Sequence, residues 1–99
     1  MRYIKKLTEH IEEEIESAKE YAESYVEFKA KGNTTVASRF KSMAEDELAH
    51  AGFFHEQAVM EIEKLGKIYT PPVDMMEKWE HEHKEYVERT AWIRQMLAM

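Results

Sequence analysis

The sequence contains no cysteine, only three glycines and only two prolines. The lack of cysteine excludes disulfides, thiolate zinc sites, iron–sulfur clusters and thiol nucleophiles. Sheet-rich folds need more turn residues than this, and alanine, glutamate, lysine and methionine are plentiful, so we predict an all-α fold. The length of 99 residues suits a single domain, which we expect to span residues 1–99.

Long apolar runs and a basic stripe are also missing. No apolar run approaches the ~18 residues needed to cross a bilayer. Acidic residues appear early in the chain, and the first residues contain no apolar stretch of the kind found in signal peptides. We therefore expect a cytoplasmic protein with no membrane partner. The net charge is −6 and the cations form no stripe, so nucleic acid is not an expected partner.

Two breaks divide the chain into segments with helical periodicity. In the first break, Gly32 suits the left-handed end of a helix, and Asn33 or Thr34 can cap the next one. The second break contains Pro71 and Pro72, which cannot lie inside a helix. The predicted helices cover residues of about 3–31, 35–65 and 74–97.

The second break is expected to run from Gly66 to Asp74, because Asp74 and Glu77 have the spacing of a capping box.

Apolar residues recur every three or four positions in each helix, which keeps one stripe facing a partner helix. The stripes comprise Ile4, Leu7, Ile11, Ile15, Ala18, Ala22 and Tyr25 in the first helix, Val36, Phe40, Ala44, Ala51, Phe54, Ala58, Ile62 and Leu65 in the second, and Met76, Trp79, Tyr86, Ile93 and Leu97 in the third. A hairpin roughly 45 Å long cannot cover two such stripes alone. We expect the third helix and a second copy of the chain to complete its core.

Three polar residues interrupt these stripes. At ~100° per residue, Glu14 is the one acid of the first helix that faces the core. Glu47 lies in the middle of the second stripe, and His50 projects to the same side from the next turn. An unpaired buried carboxylate costs several kcal/mol or changes its pKa. The pattern therefore indicates a compensating cation.

Glu47 and His50 form a Glu-x-x-His motif, whose two side chains can bind one metal ion from a single helix face. Glu14 and His50 are equally far from Gly32 in the sequence, so a hairpin folded there places them opposite each other. One hairpin supplies two carboxylates and one imidazole, and two hairpins supply the ligand set of a di-iron carboxylate protein. We predict Glu14, Glu47 and His50 as ligands of iron or manganese, with zinc as a competitor.

These residues resemble the hairpins of the ferritin-like superfamily, in its rubrerythrin and encapsulated-ferritin branches. The resemblance covers about 11–58 and rests on Glu14, on Tyr21 seven residues later, on the Gly32 turn and on the Glu-x-x-His segment 44–51. Full ferritins and rubrerythrins carry two such hairpins in one chain. This chain has one, which is similar to encapsulated ferritins, where a dimer interface completes the site.

The resemblance implies a helical hairpin plus a third helix that dimerises into a ferritin-like four-helix bundle. It implies a di-iron ferroxidase that oxidises Fe(II) for iron storage or detoxification, with Glu47 bridging the metals, Glu14 as a terminal ligand and His50 as a nitrogen ligand. It also implies a homo-oligomer, from a dimer up to a ring of dimers, and an encapsulating shell protein as a partner. Tyr21 and Tyr25 are expected close to the site.

Other interpretations stay open. The chain can be a non-catalytic helical oligomerisation module with polar core pairs, or a rubrerythrin-like peroxide scavenger. A second candidate cluster consists of Glu80, His81 and His83, but it lacks an opposing carboxylate. His55 and Glu61 border the second stripe, and we expect them to contact a second copy or to act as caps.

Overall fold

The computed structural model describes residues 2–99, which form three helices and no strand. Their bounds are Arg2–Ala30 for α1, Thr34–Ile68 for α2 and Val73–Leu97 for α3. The predicted all-α class is confirmed. The described chain is an elongated bundle with extents of 55 × 17 × 16 Å. No stretch of helix within residues 2–99 has the length and apolar character of a membrane span.

A tight turn reverses the chain between α1 and α2. Gly32 adopts a positive φ of 79°, and its N–H donates to the carbonyl of Lys29 at 3.0 Å, while the N–H of Asn33 donates to the carbonyl of Phe28 at 2.9 Å. These two bonds form a Schellman motif, which satisfies carbonyls at the end of α1. The Asn33 side chain then accepts from the N–H of Val36 at 3.2 Å and caps α2, which makes it the cap of the two that the sequence allowed.

The seam between α1 and α2 is the main core of the molecule. All seven predicted stripe residues of α1 are buried. On α2, small side chains repeat every seven residues at the seam, and a leucine is buried next to them. These buried residues of α2 are Ala37, Ala44, Leu48, Ala51 and Ala58. Alanine side chains let the two helix backbones approach closely, which sets a fixed distance between groups that face each other across the seam.

Helix α3 runs parallel to α1 and packs mainly against it. The Arg89 guanidinium donates to Glu16 at 2.8 Å, and Lys29 near the end of α1 donates to the carbonyl oxygen of Met99. Only the last part of α3 is deeply buried, through Thr90, Ile93 and Leu97. The first half of α3 is therefore held by partly buried side chains rather than by the core.

Two predicted boundaries are wrong. Helix α2 continues through Gly66 to Ile68, and the N–H of Tyr69 still donates to the carbonyl of Leu65. Glycine inside a helix costs only about 1 kcal/mol relative to alanine, so the helix ends nearer to the prolines. The residue that caps α3 is Pro72, without a side-chain hydrogen bond. Asp74 lies in the first turn instead, where its charge favours the helix N-terminus.

Candidate metal centre

The seam brings Glu14 of α1 together with Glu47 and His50 of α2. One ligand atom of each side chain lies within 4.8 Å of the others. His50 Nδ1 is 3.5 Å from Glu14 Oε2 and 3.9 Å from Glu47 Oε1. The predicted proximity of the three residues is confirmed, and their role as ligands stays a prediction. We call Glu14, Glu47 and His50 the carboxylate triad.

Local structure explains why the triad forms. Glu47 and His50 lie one turn apart on α2, so both side chains leave the helix on the same side. The Schellman turn at Gly32 sets which residue of α1 lies opposite them. Because this turn adds no flexible loop, the register of α1 against α2 is determined by a few backbone hydrogen bonds.

The two carboxylates of the triad are partly buried, whereas His50 lies at its solvent-exposed edge. The side chains of Glu14 and Glu47 are 23% and 24% exposed, against 57% for His50. Glu14 Oε2 is buried and has no hydrogen-bond partner among residues 2–99. A buried acceptor without a partner costs about 1–3 kcal/mol, and more when it is charged. The triad therefore contains an acceptor that the protein itself does not satisfy.

The electrostatics of the triad also favour an added positive charge. The pKa of Glu47 is raised, first because a protonated Glu47 can share its hydrogen with the Glu14 carboxylate, then by burial and by the negative charge of Glu14. The charge on His50 acts in the opposite direction and does not cancel these effects. Two carboxylates this close share either a proton or a cation. A metal ion would remove the repulsion and occupy the unsatisfied oxygen.

The distances fit a metal ion. With metal–ligand bonds of ~2.1 Å, two ligands of one ion lie about 3–4 Å apart. The separations of 3.5 and 3.9 Å between His50 and the two carboxylates fall in this range. Two oxygen donors and one imidazole suit Fe²⁺ or Mn²⁺, and Zn²⁺ is also compatible. Three protein ligands leave coordination positions for water or for a further carboxylate.

The triad lies on the flank of the hairpin that α3 does not cover. Residues two apart on a helix point about 160° away from each other. On α1, Glu16 contacts Arg89 of α3, so Glu14 points to the opposite flank. On α2, Gly52 faces Tyr86 of α3, so His50 also points away from α3. The triad is therefore accessible from the side where a second chain can approach.

Aromatic pairs border the triad along the hairpin. Tyr21 packs against Phe40 with ring centroids 6.2 Å apart, and both lie seven residues from a triad carboxylate. On the other side, His10 stacks on Phe54 at 5.0 Å. The Tyr25 hydroxyl accepts from Lys29 at 3.3 Å. The described contacts of Tyr21 and Tyr25 are thus with side chains outside the triad.

The second candidate cluster of the sequence, Glu80, His81 and His83, does not meet around one point. His81 pairs with Glu85 at 3.5 Å, whereas His83 Nδ1 lies 2.8 Å from His55 Nε2 on α2. Within residues 2–99 the carboxylate triad is the only group of three or more such side chains that meets around one point. Glu61, expected at a dimer contact or a cap, pairs with Lys64 at 3.5 Å.

His55 contacts α3 of its own chain, which the sequence did not indicate. Its ring stacks on Tyr86 with a centroid distance of 4.1 Å and on Trp79 at 5.6 Å. Burial and the neighbouring charge of His83 lower the pKa of His55. The spacing of Trp79, His83 and Tyr86 at steps of four and three was the available signal. We call these four residues the imidazole cluster.

The chain matches no known protein family, no curated protein and no solved structure. The resemblance to the ferritin-like superfamily therefore rests on the hairpin residues alone and stays a prediction.

Proposed function

We propose that Glu14, Glu47 and His50 bind iron, that two copies of the chain join their triads into a di-iron centre, and that this centre is a ferroxidase. The observation that carries the proposal is the buried oxygen of Glu14, which has no hydrogen-bond partner within residues 2–99 and lies beside a second carboxylate and an imidazole. A divalent cation supplies what this oxygen lacks. Iron suits the donor set because carboxylate oxygen and imidazole nitrogen are both common iron ligands.

The proposed dimer follows from the position of the triad. One chain offers three ligands on an open flank, and His50 is half exposed there. A twofold axis beside this flank would bring a second set of three ligands to the first. The partly buried Tyr21, Phe40 and Phe54 would lie in the same interface, since they border the triad along the hairpin. Four carboxylates and two imidazoles can hold two metal ions.

The chemistry of the proposed reaction is a two-electron transfer. Two Fe²⁺ ions each lose one electron, and one O₂ takes up both electrons and two protons to give H₂O₂. The protein would hold the two ions side by side with open positions, so that both electrons reach one oxidant. In this arrangement Glu14 and Glu47 would supply the carboxylate ligands, with Glu47 shared between the two ions, and His50 would supply the nitrogen ligand.

The test is aerobic oxidation of Fe²⁺, followed by the near-ultraviolet absorbance of the ferric product. Glu47→Ala and His50→Ala are expected to reduce the rate to that of iron in buffer. Glu45→Ala is the matched control, because Glu45 is an exposed residue of the same helix that points about 160° away from Glu47. Normal oxidation by both triad variants would contradict the assignment.

Molecular mass on the same samples, with and without iron, tests the dimer. We expect a dimer with one iron per chain, and we expect Fe²⁺ to raise the thermal midpoint, because a ligand that binds only the folded state stabilises it. An oligomer that binds no iron would indicate the oligomerisation module instead. Faster turnover with H₂O₂ than with O₂ would indicate the peroxide scavenger.

A further inference from the structure

A groove runs along the molecule between α2 and α3, on the flank away from the carboxylate triad. It forms because α3 packs mainly against α1 and leaves a gap beside α2. Its volume is about 560 Å³, within the range of roughly 300–1,000 Å³ that is typical of small-molecule sites. Along α2 the groove extends from Lys41 to Gly52, which is roughly 16 Å at ~1.5 Å per residue. The groove can therefore hold an elongated molecule.

The floor of the groove is apolar, and small residues line its α2 side. Leu48 and Leu97 are buried beneath it, and Ala49 and Gly52 line it from α2. Larger residues at these last two positions would fill the space. Tyr86 closes one end of the groove, because its ring is held in the imidazole cluster and its hydroxyl lies over Gly52. This part of the groove fits the apolar body of a ligand.

The other end of the groove carries two cations without an anionic partner. Lys41 of α2 and Arg94 of α3 both line it, and neither side chain forms an ion pair within residues 2–99. Lys41 is half-buried, and its ammonium lies 5.8 Å from the centroid of the Tyr25 ring, which helps to hold it in place. Among the described residues, Glu45 is the only acid that lines the groove. This end therefore keeps a net positive charge.

The surrounding sequence adds to this positive charge. Residues 28–44 contain four cations and no acid, whereas the net charge of the whole chain is −6. One of these cations, Lys31, pairs with Glu27 outside the segment. A positive end on an otherwise acidic protein attracts an anion to this place rather than elsewhere on the surface. Lys41 and Arg94 lie where such an anion would enter the groove.

We propose that the groove between α2 and α3 binds a small unbranched carboxylate with an apolar body. The carboxylate lies between Lys41 and Arg94, and the Arg94 guanidinium can donate two parallel hydrogen bonds to it. The apolar body lies over Leu48 and Ala49 and ends at Tyr86. A helix of another chain would need a groove that is open at both ends, whereas the imidazole cluster closes one end of this groove.

This site is separate from the carboxylate triad. Gly52 faces Tyr86 of α3, whereas His50 lies on the flank that α3 leaves open. The ligand contacts α2 and α3 together, so it binds the folded chain and is expected to stabilise the packing of α3 against the hairpin. Binding in the groove is not expected to change the triad.

The test is a calorimetric titration of the full chain with octanoate, compared with 1-octanol and with acetate. Octanoate has both parts of the proposed ligand, whereas 1-octanol lacks the charge and acetate lacks the apolar body. We expect octanoate to bind as one molecule per chain and to raise the thermal midpoint. The other two compounds are expected to bind at least tenfold more weakly, or by about 1.4 kcal/mol. Equal binding of octanoate and 1-octanol, or no binding of octanoate, would overturn the proposal.

Charge variants test the cationic end of the groove. Lys41→Gln and Arg94→Gln are each expected to weaken octanoate binding about tenfold, because each removes a charged donor to the carboxylate. Glu45→Gln is expected to strengthen it, because it removes the competing anion. Arg39→Gln is the matched control, since Arg39 is an exposed cation of the same helix that points about 160° away from Lys41. Unchanged affinity in both Lys41→Gln and Arg94→Gln would overturn the proposal.

A filling variant tests the apolar part of the groove. Ala49→Leu adds a larger side chain at an exposed position that lines the groove, and it is expected to abolish octanoate binding without unfolding the chain. Ala91→Leu is the matched control, because Ala91 is an exposed alanine of α3 that does not line the groove. Octanoate binding to Ala49→Leu with unchanged affinity would overturn the proposal.

Two further measurements separate this site from other interpretations. If the unmodified chain bound no octanoate and Ala49→Leu lowered the molecular mass of an oligomer, the groove would be an interface between copies, and the proposal would be overturned. His50→Ala is expected to bind octanoate with unchanged affinity. Because this variant can fail in the iron test and pass this one, the two proposals are decided separately.

Discussion

The two flanks of α2 differ in whether their polar side chains find hydrogen-bond partners. On the open flank, Glu47 lies against Glu14, and an oxygen of Glu14 lacks a hydrogen-bond partner within residues 2–99. On the flank covered by α3, His55 has a nitrogen partner in His83 and an aromatic neighbour in Tyr86. The imidazole cluster satisfies its own polar groups and contributes to the fold. The carboxylate triad is costly without a cation, which is typical of a site shaped by function.

The largest expected effect comes from separating α3 from the hairpin. Ile93 is the largest fully buried side chain of the described chain, and Ile93→Ala is expected to lower the free energy of unfolding by about 3 kcal/mol, because it leaves a cavity. Urea denaturation measures this loss. If the two flanks are independent, Mn²⁺ affinity at the triad stays unchanged.

The control for this prediction is Trp92→Ala on the neighbouring exposed position. It is expected to change the free energy of unfolding by no more than about 0.5 kcal/mol. A parallel loss of Mn²⁺ affinity in Ile93→Ala would show that α3 also positions the triad, and the distinction between the flanks would fail.

A smaller effect is expected from removing one charge of the triad. Glu47→Gln should stabilise the metal-free protein by about 0.5 kcal/mol, because it relieves the repulsion with Glu14 at a position that water still screens. The same variant should lose the stabilisation by Fe²⁺ or Mn²⁺. Thermal midpoints with and without metal measure both effects, and Glu45→Gln is the control. A less stable metal-free variant would show that the triad is not strained.

The smallest effect concerns a carboxylate pair between α1 and α3. Burial and a hydrogen bond with Glu12 raise the pKa of Glu82 to about 6. Because the folded state holds this proton more tightly than the unfolded state, the free energy of unfolding falls as the pH rises from 4.5 to about 6. Glu82 keeps contact with water, so we expect a change of only a few tenths of a kcal/mol.

Glu82→Gln tests this pH dependence. It should remove that part of the slope and make the protein slightly more stable at neutral pH, as measured by urea midpoints below pH 4.5 and above pH 6. Glu88→Gln, an exposed change on the same helix, should leave the slope in place. An unchanged slope in Glu82→Gln would mean that Glu82 does not hold its proton in the folded state. Glu12 and Glu82 would then share no proton, whereas the two carboxylates of the triad share either a proton or a cation.

Much of the hairpin was predictable because local rules decide it. The three- and four-residue spacing identified every buried residue of α1, and the Gly32 turn set the register that brings Glu14 to His50. Boundaries near Gly66 and Asp74 were predicted wrongly, because a single glycine or acidic residue changes helix stability by only about 1 kcal/mol. Packing energies of that size easily outweigh it.

Sequence periodicity by itself determined the three helices, the α1 side of the α1–α2 seam and the meeting of the three triad residues, since each follows from the angle per residue and from one turn. On α2 it missed the buried Ala37 and Leu48. Which flank of the hairpin α3 covers was decided only by the tertiary structure. The choice depends on the summed packing of Ile93, Leu97 and the imidazole cluster. That choice pairs His55 with His83 and leaves the triad on the open flank.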